Sequence, residues 1–154
     1  MTPQLHVLLL VLVAPLAGVL VLAIPESQRR LREPLAVAAA LVNLVLTALT
    51  FGRETVVEMP WLSSTFTLSA RFYHTASFVA TAAAGFGLLV TLFSIPFMRK
   101  RSGHRQHYLL MLLSLGLVNG AVFANSLLVL LFFWEGLLGT TYGMIAIGGP
   151  NAYK

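Results

Sequence analysis

The chain has 154 residues, 58% of them hydrophobic and 10% charged, with a mean hydropathy of +0.86; soluble domains carry roughly 25% charged residues, so water is excluded as its main solvent. The net charge of +5 and the pI near 10.3 do not signal nucleic acid, because the basic residues sit in short segments rather than along a soluble face or groove. No Cys is present, which excludes disulfides and any thiolate-held iron–sulfur cluster in this chain, so redox chemistry is expected in partner subunits.

The first apolar run covers residues 5–24, long enough to cross roughly 30 Å of hydrocarbon as a helix. Val21-Leu22-Ala23 has the look of a signal cleavage site, but no basic residue precedes the run and it exceeds a usual signal core. It therefore reads as a retained helix, which Pro15 is expected to kink. A second run covers 35–51. The segment 52–70 holds Pro60, Trp61, Ser63 and Ser64, and residues 65–68 alternate as a short strand or interfacial segment would. Trp61 is expected to anchor at the membrane surface.

Further runs cover 72–98, with Pro96 near its end, 108–124 and 127–147. Long apolar stretches without strict alternation require helices, since backbone groups in hydrocarbon must be satisfied within each segment. The expectation is an all-α, multi-pass bundle of about five transmembrane helices, built as one membrane domain without an internal repeat.

Arg29, Arg30 and Arg32 share one connection, and Arg99, Lys100, Arg101 and Arg105 share the connection two crossings later. Both are expected on the cytoplasmic side. With Lys154 this gives eight basic residues against two, Arg53 and Arg71. The N-terminus is then outside and the C-terminus cytoplasmic, in a cell's inner membrane, with the basic segments near anionic lipid.

Four of the five acidic residues, Glu26, Glu33, Glu54 and Glu58, fall in expected loops. Glu135 stands near the middle of the last span, where an acidic side chain costs about 2.5–3.5 kcal/mol on the insertion scale. Tyr142 and Gly139 share nearly the same helix face, and Gly136, Gly139 and Gly143 form a small-residue stripe suited to close packing. Burial favours the neutral carboxyl and a nearby cation the carboxylate, so Glu135 is suited to bind and release a proton in a hydrated bundle interior. A permanently hydrogen-bonded packing residue is the plainer alternative.

His6 and His104 lie at ends or loops, and His74 and His107 at opposite membrane edges, so no pair is placed for haem ligation and no metal or cofactor is expected. His74 is a secondary proton-relay candidate, although a satisfied interfacial His is the plainer reading. Asn43, Asn119 and Asn125 are suited to hydrogen bonds between helices, with structural pairing favoured.

The stretch 107–154, HYLLMLLSLGLVNGAVFANSLLVLLFFWEGLLGTTYGMIAIGGPNAYK, resembles the fourth and fifth helices of the antiporter-like proton-channel subunits. That superfamily includes large membrane-arm subunits of NADH-quinone oxidoreductase, group 4 hydrogenases and multisubunit cation/proton antiporters. Phe133-Trp134-Glu135 is its most specific part, while Phe93-Ser94 and Phe97-Met98 resemble the close of the third helix. The resemblance implies that Glu135 is the fifth-helix glutamate, working with lysines on later helices, and that Asn125 is the Asn opening that helix. Ala124, where many relatives carry Asp, and His74, where an acidic residue is common, depart from the pattern.

Members usually have about fourteen helices in two inverted repeats, so this chain resembles the opening part of such a subunit, as a fragment or a split subunit. Its two lysines, Lys100 and Lys154, lie outside every span, so lysine-bearing helices are expected from a continuation or from other membrane subunits. The expected function is proton translocation within a redox-driven complex such as NADH-quinone oxidoreductase or group 4 hydrogenase. The alternatives are a non-translocating scaffold or assembly subunit, a part of a multisubunit sodium/proton antiporter, and a membrane-anchor or quinone-site subunit.

Overall fold

The computed structural model describes residues 2–63, 66–98 and 103–147, without the side chains of 26, 27, 29, 61–63 and 66. The anchor role expected of Trp61, and the placement of Arg99, Lys100, Arg101 and Lys154, fall outside what is described. Helices α1 (Pro3–Ala23), α2 (Arg32–Ala48), α3 (His74–Met98), α4 (His104–Val122) and α5 (Leu127–Ala146) are joined by a short 3-10 turn, Glu26–Leu31, and one hairpin, β1 (Thr55–Ser63) and β2 (Phe66–Phe72). Each of the five expected spans is a helix. By length and apolarity α1, α3 and α5 can cross a membrane; α2 has 17 residues, and α4 opens on His104-Arg105-Gln106-His107.

The helix starts follow local chemistry. Thr2 Oγ1 accepts from the Leu5 N–H at 3.4 Å, with Pro3 in the first turn, and Ser126 Oγ accepts from the Val129 N–H at 3.3 Å. Such caps satisfy N–H groups that have no partner inside the helix. Arg32 departs from its expected place in a solvated loop. It opens α2, is 1% exposed, and donates from Nη2 to the Ile24 carbonyl at 2.6 Å. There it closes the C-terminal end of α1, where a cation is also favoured by the helix dipole.

Helix α4 is the centre, packing against α1, α2, α3 and α5. Its pairing with α1 is antiparallel. Gly18 meets Leu109 and Leu112, Pro15 and the Val11 carbonyl meet Gly116, and the Leu10 carbonyl accepts from Asn119 Nδ2 at 2.7 Å. α1 runs unbroken through Pro15. A Cβ at position 116 would collide with the Val11 carbonyl and would lie 2.5 Å from Pro15 Cγ. Pro15 lacks the N–H that would otherwise bond that carbonyl, and only a glycine lets α4 approach there. Around this contact, Ala14, Ala36, Ala39 and Ala40 pack against Tyr108, Met111, Leu112 and Leu115: small residues on α1 and α2 face large ones on α4.

The expectation of a short strand within 65–68 gives way to a longer antiparallel hairpin, paired from Thr55↔Phe72 to Ser63↔Phe66 with a bulge between Pro60 and Ser63. Pro60 masks the alternation of β1 in the sequence, and backbone pairing with β2 supplies the strand. The Arg71 N–H donates to the Phe123 carbonyl at 2.8 Å, and the Asn125 N–H to the Ser69 carbonyl at 2.9 Å. These bonds fix β2 to the α4–α5 connection. Val57, Ala70 and Phe72 then pack on Val7, Leu10, Ala76, Ala80 and Phe123, closing one end of the bundle.

At this hairpin end His6 is fully buried, contrary to its expected place at a chain end. Its Nε2 lies 3.0 Å from the Leu46 carbonyl, and its Nδ1 lies 3.2 Å from Arg53 Nη1. Arg53 can only donate, so Nδ1 is the acceptor and Nε2 carries the hydrogen that reaches Leu46. The ring also meets Phe72 edge-on, with centroids 5.7 Å apart. His6→Ala is expected to cost about 2 kcal/mol or more, leaving a cavity and two stranded polar groups. Thermal unfolding of the purified chain measures this, and an unchanged transition would contradict the assignment.

Candidate functional site

Helix α5 packs on α4 alone to any extent, and its two faces differ. Inward, Phe133 lies under Gly120, Gly136 against Leu117 and Gly143 against Leu110, while Ser114 Oγ donates to Thr140 Oγ1 at 2.9 Å. It buries three residues, Val129, Phe133 and Thr140, against six on α1. The opposite face exposes Leu128, Leu131, Trp134, Leu138 and Tyr142.

Glu135 lies on this exposed face, eight residues after Leu127 in the 20-residue helix, roughly 12 Å from its start at 1.5 Å per residue. Among the described residues it has no hydrogen-bond or ion-pair partner. Within these five helices it points outward rather than into the bundle interior expected from the sequence. Its place and outward direction together form the candidate site: a carboxyl near the middle of a helix long and apolar enough to cross a membrane, ringed by apolar side chains and facing away from these helices.

The secondary candidates do not converge on it. Tyr142 shares the exposed face, two turns along, and is 66% exposed. His74 opens α3 at the hairpin end, with Nδ1 3.4 Å from Glu54 Oε1 in a largely exposed pair; such pairs contribute little to stability. Asn125 serves the hairpin, its Nδ2 donating to Ser69 Oγ at 2.9 Å. The glycine stripe divides as well. Gly136 and Gly143 pack on α4, whereas a Cβ at Gly139 would meet nothing within 4 Å, because Gly139 stands one turn from Glu135 on the open face.

Three polar contacts went unread in the sequence. Besides His6 with Arg53, His107 Nε2 lies 3.0 Å from Ser94 Oγ and ties α4 to α3 at the far end. Ser114 and Thr140 pair across α4 and α5. The expected Asn119 pairing is present: its Nδ2 also donates to Asn43 Oδ1 at 2.7 Å. No group of three or more His, Asp or Glu able to hold a metal occurs among the described residues.

Ten chains of solved structure match this fold. One belongs to the structure of the membrane-bound sulfane sulfur reductase, an archaeal respiratory membrane complex. The TM-score is 0.74 with 19% sequence identity, over 92% of this chain and 23% of that one. The fold is shared. The chain thus spans less than a quarter of the length of that relative. No family profile and no curated relative matches the sequence.

Proposed function

We propose that the chain is a multi-pass membrane subunit, or the opening part of one, in a proton-translocating, redox-driven respiratory complex, with Glu135 as its intramembrane protonatable group. One observation carries the reading: a carboxyl stands at mid-depth on the open face of α5, in a fold shared with a chain of a respiratory membrane complex. Left facing lipid, that carboxyl costs about 2.5–3.5 kcal/mol, so a neighbouring helix is expected to cover it. The sequence has lysine only at positions 100 and 154, outside every helix described, so the partner cation comes from further helices of this subunit or from another subunit.

A proton is favoured over sodium as the transported ion, because a hard cation needs several oxygen ligands together. The exposed neighbours Leu131, Trp134 and Leu138 supply none from their side chains. The basic segments are placed on the cytoplasmic side and the hairpin outside. The test is to purify the complex from native membranes, identify its subunits, and follow proton movement into reconstituted vesicles during redox turnover. Proton movement abolished by a protonophore is expected; full electron transfer without it would contradict the reading.

The outward direction of Glu135 also favours a second reading, in which the carboxyl only fastens a neighbouring subunit. That scaffold role predicts that Glu135→Gln weakens assembly while each assembled complex pumps normally.

A further inference from the structure

The hairpin half of the bundle contains buried polar groups that neither the fold nor the proposed function uses. Asn119 Nδ2 spends both its hydrogens, on the Leu10 carbonyl and on Asn43 Oδ1, each at 2.7 Å. Asn43 therefore presents its oxygen to α4 and turns its amide nitrogen away. That nitrogen is buried without a protein partner, in a residue that is 1% exposed.

The hydroxyls of Ser77 and Thr81, one turn apart on α3, are likewise buried and unpartnered. Their neighbours on the same helix behave differently. Thr91 Oγ1 donates to the Gly87 carbonyl at 2.7 Å and Ser94 Oγ to the Val90 carbonyl at 2.8 Å, the usual local solution for a hydroxyl inside a helix. Ser77 and Thr81 forgo it.

These groups lie toward the same end of the bundle. Asn43 lies five residues inside the hairpin-side end of α2, and Ser77 and Thr81 lie three and seven residues inside that of α3. At 1.5 Å per residue these are roughly 7.5, 4.5 and 10.5 Å, and α2 packs along α3. Leaving a buried polar group unpaired is costly, so three unpaired groups near one end of the bundle would be a heavy penalty.

We propose that Asn43, Ser77 and Thr81 form a binding site for ordered internal water between α2 and α3. The donors and acceptors match that ligand. Asn43 offers two amide hydrogens, which would repel a metal cation, while the two hydroxyls both donate and accept. A buried water typically makes about three such bonds. Through Asn119 the site is linked to α1 and α4, so the water serves as a hydrogen-bonded bridge holding α3 to the bundle. It is separate from Glu135, on helices that leave the open face of α5 untouched.

The site is tested by radiolytic hydroxyl labelling with mass spectrometry on the full chain in lipid nanodiscs. Leu10, whose carbonyl joins the network, is compared with Val21, equally buried on the same helix but at the far end. Leu10 is expected to label several-fold faster than Val21, and the Ser77→Ala, Thr81→Val pair to remove most of that difference. Equal, slow labelling of both residues in the unaltered chain would overturn the proposal. The same pair is expected to lower the unfolding temperature by breaking water-mediated bonds. A raised unfolding temperature would overturn it too, because it would mean that unpaired hydroxyls had been removed from a dry site.

Discussion

Gly116→Leu is expected to abolish accumulation of the folded chain, measured as loss of the monodisperse peak after detergent extraction. The obstacle to a side chain at position 116 is backbone and a ring, namely the Val11 carbonyl and the Pro15 pyrrolidine. Neither can rotate aside as the tip of a leucine could. Overpacking a core typically costs about 1–3 kcal/mol, and here the central α1–α4 pairing would itself have to separate, against a total stability of about 5–15 kcal/mol.

Gly116→Ala should remain folded but less stable, because the roughly 1 kcal/mol gained in helix propensity is outweighed by the clash. Gly139→Ala supplies the contrast. With nothing within 4 Å of a Cβ there, it should be neutral or slightly stabilising in the isolated chain, yet impair assembly if the face of Glu135 is covered by a partner helix. Equal tolerance at positions 116 and 139 in the isolated chain would refute this account of the packing.

The second large effect is on activity. Glu135→Gln keeps the size and hydrogen-bonding capacity of the side chain but removes the exchangeable carboxyl proton. If Glu135 relays each transported proton, its loss should slow translocation by roughly 10²-fold, the scale of a positioned acid–base group, with assembly preserved. Glu135→Asp, which retains the proton on a shorter arm, should keep part of the rate. Proton uptake by reconstituted vesicles, normalised to assembled complex, separates this from the scaffold reading, which requires normal pumping per complex.

Much of the fold could be read from the sequence because hydrocarbon leaves few solutions. Apolar runs of helical length had to be helices, and all five were placed within a few residues. The hairpin was less legible, since Pro60 hides the alternation of β1 and the pairing with β2 is not local. Burial of individual polar residues was least legible. Arg32 looked like one more loop charge, but its guanidinium reaches back eight residues to cap α1. His6 looked terminal, but Leu46 and Arg53, far along the chain, supply its partners.

At the candidate site, the sequence identified an acidic residue in an apolar helix, and helix periodicity grouped it correctly with Gly139 and Tyr142. It did not reveal that this face turns away from the other four helices. That direction is set by which residues of α5 meet α4: Phe133 seats on Gly120, and Gly136 and Gly143 admit Leu117 and Leu110. Once these contacts form, Glu135 has no choice but to face outward.

The most direct test of the central claim is the infrared difference spectrum of the intact complex between resting and turning-over states, recorded for the unaltered protein and for Glu135→Gln. A carboxyl band that changes on turnover and disappears in Glu135→Gln is the predicted result. Identical difference spectra for the two proteins would show that Glu135 keeps one protonation state throughout, and would contradict its role in moving protons.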